Sequence, residues 1–81
     1  MTTKEFYKHF PNATQEEKEK IADYAYSLAC DAFSGMEMSK SALKVEGMEF
    51  FTHHIKEDLT LKQANDLLVK ITGNEKCFLI N

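Results

Sequence analysis

The sequence predicts an all-α protein, a compact bundle of three main helices with a short N-terminal helix before them and an apolar C-terminal tail after them. Three observations predict it. The pattern Thr-x-x-Glu or Thr-x-x-Gln occurs at Thr2 to Glu5, Thr14 to Glu17 and Thr60 to Gln63, and a periodic stretch follows each time. In such a capping box the threonine hydroxyl accepts from the N3 backbone N–H while the Glu or Gln side chain accepts from the N-cap N–H. Apolar residues then recur at spacings of three and four rather than two, and Pro11, Gly35 and Gly73 fall where helices are expected to stop.

Helix one, about residues 3 to 10, carries Phe6, Tyr7 and Phe10 on one side and stops before Pro11, which pushes its predecessor out of the α region. Met1 and Phe6 are placed to staple its start. Helix two runs from about Gln15 to Ser34. Its polar residues Glu16, Lys20, Asp23, Ser27, Asp31 and Ser34 fall in one narrow strip, and most of the rest from Ile21 to Met36 is apolar. So wide an apolar arc marks a central helix. Within the arc Ala22, Ala25, Ala29 and Ala32 form a ladder of short side chains that lets a second helix come close. Ile21, Tyr24 and Leu28 flank it on one side and Tyr26, Cys30 and Phe33 on the other, which implies two neighbours.

Helix three starts near Ser39 or Ser41 and runs to about Glu57, with Leu43, Gly47, Met48, Phe50, Phe51, His54 and Ile55 expected inward and Glu46, Glu49, His53, Lys56 and Glu57 outward. Glycine inside a helix costs about 1 kcal/mol relative to alanine, so Gly47 marks a close approach by a neighbour. Helix four, Leu61 to Thr72, turns Leu61, Ala64, Leu67, Leu68 and Ile71 inward and Lys62, Asp66 and Lys70 outward, and Gly73 with Asn74 caps it. The tail from Glu75 to Asn81 either packs across the bundle or pairs as a strand with another chain.

Eighty-one residues make one domain, and a chain this short buries hardly more apolar surface than its ordering entropy demands. Added stability is expected from disulfides, a metal, oligomerisation or a partner. Cys30 and Cys77 stand far apart with no leader-like apolar segment in front and no long apolar run, so free thiols in a cytoplasmic protein are expected, without membrane attachment. A structural zinc site wants four ligands in paired spacing, which Cys30, Cys77, His9, His53 and His54 do not offer. Oligomerisation or a partner remains.

All ten basic residues are lysine, against thirteen acidic ones, for a net charge of −3. Arginine's bidentate fork for phosphate is missing and no run of lysines compensates, so nucleic acid is not an expected partner. A helix-turn-helix use of helices three and four would leave Lys62 and Lys70 as isolated cations. No phosphate loop, nucleophile elbow or HExxH pattern occurs, and neither cysteine has a general base beside it, so no catalytic residue, cofactor or metal is assigned. Adjacent His53 and His54 point about 100° apart on a helix and cannot chelate one ion. Glu49, His53 and Glu57 read as a solvated stripe. His54 needs a hydrogen-bond partner, and Asp58 one turn later is the candidate.

The expected function is that of a non-enzymatic protein-binding module, an inhibitor, adaptor or regulator of a larger protein and a homodimer or docked subunit, with size and composition that suit a phage or mobile element. Its expected contact residues are Phe6, Tyr7, Phe10, Ala22, Ala25, Ala29, Ala32, Gly47 and His54. The alternative is a carrier that holds a small metabolite or nucleotide between subunits through Tyr7, Lys8, His9 and Lys20.

Overall fold

A computed structural model describes residues 1–79. Within them the chain forms α1 (Thr3–Tyr7), α2 (Gln15–Ala32), α3 (Lys40–His53) and α4 (Leu61–Thr72), with a π-helical turn, His54–Asp58, continuing α3. This is the all-α bundle the periodicity predicts: three main helices and a short one. All three capping boxes form with both reciprocal bonds, at Thr2, Thr14 and Thr60. Ser39 rather than Ser41 caps α3, its hydroxyl accepting from the Ala42 N–H at 3.1 Å. Gly73 ends α4 at φ 78°, a left-handed conformation that glycine adopts without a Cβ penalty.

Several boundaries differ from expectation. The α-helical part of the first helix ends at Tyr7. Tighter turns follow it, with His9, Phe10 and Ala13 N–H groups donating to carbonyls three residues back at 3.1 Å. Those turns rotate Phe10 toward Phe6, and the two rings meet edge to face with centroids 5.1 Å apart. The second helix ends at Ala32 rather than Ser34, with Gly35 in the turn beyond at φ 87°.

The core holds Phe6, Phe10, Ile21, Ala25, Phe51, Ala64, Leu68 and Phe78, none with any solvent exposure. Phe51 sits at its centre, with the rings of Phe6, Phe10 and Tyr24 at 6.2, 6.4 and 5.8 Å. The α2 helix packs along α3 and against α4, so it has two helical neighbours, and its polar strip from Glu16 to Ser34 is exposed throughout. Gly47 is where α2 and α3 come closest: a Cβ built there would overlap the Ala25 carbonyl oxygen and stand 2.8 Å from its carbon.

As far as Leu79 the tail docks on its own bundle; Ile80 and Asn81 lie outside the described residues. The side-chain amide of Asn65 serves the tail backbone as a strand partner would, accepting from the Phe78 N–H at 2.7 Å and donating to the Lys76 carbonyl at 2.9 Å. Asn12 donates to the Cys77 carbonyl at 3.0 Å. Lys76 meets the buried carboxylate of Glu17 at 2.6 Å, and Asn74 donates to the same carboxylate at 2.6 Å. A buried carboxylate is costly unless several donors satisfy it. Here the Lys76 ammonium first, then the Thr14 backbone N–H, hold the Glu17 carboxyl at about 2.

Candidate functional site

The expected patch of Phe6, Tyr7 and Phe10 does not form. Phe6 and Phe10 are fully buried under the N-terminal segment, because so short a chain needs its largest rings to fill its own interior. Tyr7 is half-buried, with the Lys18 ammonium 6.0 Å from its ring centre, and burial followed by nearby Glu19 and Asp23 pushes its hydroxyl up. The alanine ladder also divides. Ala25 and Ala29 are covered within the chain, and Ala25 faces Gly47, so the tight helix contact expected between molecules is made inside one. Ala22 is half-buried beside Tyr26 and Met48, and Ala32 is exposed.

Around Ala32 lies the first candidate site. A groove of about 360 Å³ opens between the C-terminal half of α2 and the outer side of α3. Leu28, Ala29, Ala32, Phe33 and Phe50 form its floor, and Glu46 and His53 supply the polar groups. Phe50 was expected inward, yet it is 56% exposed. Its ring lies nearly parallel to that of His54 (11°), centroids 6.3 Å apart. Nδ1 of half-buried His54 is 3.0 Å from the Asp58 carboxylate, the partner expected one turn on. Spacing in the sequence carried a signal for Phe50 that residue type concealed. It stands four residues after Glu46 and three before His53, on the helix face those residues give to water.

The second candidate site lies where the tight turns after α1 meet the π-helical turn. Lys8 and His9 line a half-open concavity of about 490 Å³ together with Pro11, Ile55, Lys56, Leu59, Leu61 and Leu79. Leu61, expected inward, is 49% exposed there. Tyr7 and Lys8 line an adjoining hollow with Lys4, Gln15 and Lys18, on the other side of Pro11. Lys20, the fourth residue of the expected carrier site, is on another surface, paired with Glu16 at 3.7 Å and close to Tyr24, Leu67 and Lys70. The fold therefore separates Lys20 from Tyr7, Lys8 and His9, and it builds a basic cluster that no run in the sequence shows. Burial, then the charge of Lys56, keeps the His9 imidazole below its ordinary value.

Cys30 is half-buried and Cys77 exposed, both free. Among the described residues no three His, Cys, Asp or Glu side chains converge on a point where they could share a metal ion, and no helix is long and apolar enough to cross a membrane. No family model, curated protein or solved structure matches the chain.

Proposed function

We propose that this chain is a non-enzymatic protein-binding module that works through the groove between α2 and α3, and that the occupant of the groove is a second copy of the chain. The observation that carries the reading is Phe50. A phenylalanine more than half exposed beside an exposed alanine offers a large ring and a place for a neighbouring helix to approach, the pairing of anchor and hollow that interface centres use. The groove is also complementary to itself. Along α3, Phe50 lies between Glu46 and His53. Two α3 helices packed antiparallel about Phe50 place each Glu46 carboxylate across from the other copy's His53 imidazole, as an isologous two-fold contact requires. Self-association also covers apolar surface that a chain of this length leaves in water. A regulator or adaptor built this way presents its outer surfaces in pairs.

The test is the mass in solution of the intact chain and of Phe50→Asp, by light scattering from micromolar to millimolar concentration. The wild type is expected to double in mass and Phe50→Asp to remain monomeric with unchanged helix content, since Phe50 is not in the core. A wild type that stays monomeric, or a Phe50→Asp variant that still pairs, overturns the reading.

A further inference from the structure

We infer that the concavity between Lys8, His9 and Lys56 is a binding site for a small anionic amphiphile, an apolar body carrying a carboxylate or phosphate head. The site is independent of the α2–α3 groove and shares no residue with it. Its chemistry is divided. Three nitrogen side chains, two lysines and an imidazole, share the hollow with the apolar Ile55, Leu59, Leu61 and Leu79, and no carboxylate lines it among the described residues. The adjoining hollow on the other side of Pro11, with Lys4, Lys8 and Lys18, is also free of carboxylates, but it lacks the leucines that line this one.

Lys20 pairs with Glu16, Lys62 with Asp66 and Lys76 with Glu17, whereas Lys8 and Lys56 belong to the lysines that form no ion pair among the described residues, so both ammonium groups are free to meet a ligand. The Lys56 charge beside His9 disfavours a second positive charge on the imidazole, and an anion bound among the three groups would reverse that preference. The hollow's volume falls within the range of small-molecule sites, about 300 to 1,000 Å³. Its apolar lining rules against a bare inorganic ion as the preferred occupant, because such an ion would leave the leucines wet. A neutral apolar molecule would leave the three nitrogens unanswered. An amphiphile with an anionic head satisfies both halves.

The π-helical turn carries two of the site's residues: Ile55 is buried and Lys56 exposed, as the helical spacing expects of each, and both border the hollow.

Dodecanoate and dodecyl phosphate, titrated below their micelle concentrations into the full chain and followed by calorimetry, provide the test. At least one of them is expected to bind saturably, with a Kd below about 1 mM. Dodecyl maltoside, with the same tail and an uncharged head, and inorganic phosphate alone are each expected to bind at least about tenfold more weakly. The double variant Lys8→Glu/Lys56→Glu and the single variant Leu61→Asp alter exposed residues, so both are expected to keep the wild-type helix content and lose at least about tenfold in affinity. Lys20→Glu, on another surface, is expected to bind as the wild type does. Binding is also expected to move the NMR titration of His9 upward. Equal affinity for the maltoside, unchanged affinity in the lysine double variant, or no saturable binding of either anion overturns the site.

Discussion

The two ends of α2 make opposite use of one sequence pattern. From its first turn onward Glu17, Ile21, Ala25 and Ala29 are sealed against the rest of the chain. In its last turn the same helical spacing reaches Ala32, and there it lies open to water. What differs is the residue supplied by α3. Across from Ala25 stands Gly47, whose missing side chain lets the helices touch. The open end has Phe50 beside it, a ring that lies alongside His54 yet stays more than half exposed. The consecutive phenylalanines repeat the lesson, since Phe51 has no solvent exposure and Phe50 has 56%. A ladder of small residues sets how near a partner can come, and the opposing residue decides whether that partner belongs to the same molecule.

The comparison can be broken most severely at its sealed side. Phe51→Ala removes the ring at the centre of the aromatic cluster and is expected to cost about 3–5 kcal/mol of stability in urea unfolding, enough to unfold much of so small a domain. Gly47→Ala sets a methyl group against the Ala25 carbonyl and is expected to cost about 2–3 kcal/mol by the same measurement, although alanine is the better helix former. A sealed side that tolerated Gly47→Ala would mean the two ends do not differ in the way described.

The carboxylate at the sealed end sharpens the contrast by its response to acid. Glu17 is lowered from 4.5 to about 2 in the folded chain, so the stabilisation it brings is complete above the unfolded value and is lost as pH falls from 4.5 toward 2. Urea midpoints measured through that window are expected to fall in the wild type and to fall less in Glu17→Gln. The smallest effects on monomer stability belong to the open end, where Ala32→Ser and Phe50→Ser are each expected to shift unfolding by no more than about 0.5 kcal/mol. Their consequence should appear in the association equilibrium instead.

Much of the fold was legible in the sequence because its signals are local. Each capping box lies within four residues, and the polar strip of α2 follows a helical period whatever lies opposite. The His54 to Asp58 bond is one turn long and was legible for the same reason. What failed to show depended on residues distant in sequence. Phe6 and Phe10 suggested an exposed aromatic patch until the fold placed Phe51 beneath them. Lys8 and Lys56 lie 48 positions apart, so no run could announce their shared hollow. Phe50 was misread for another cause: its apolar character outweighed a spacing that pointed outward.

The docked tail has a consequence for synthesis. Asn12 and Glu17 near one end, and Asn65 in α4, each take a partner from residues 74 to 78, so the bundle lacks those bonds while those residues are still inside the ribosome. Until then Phe78 is missing from the interior and the finished helices surround a vacancy. Closing the interior thus waits for the segment that ties Asn12 and Glu17 to Asn65, and a form without that segment would lack both its bonds and its ring.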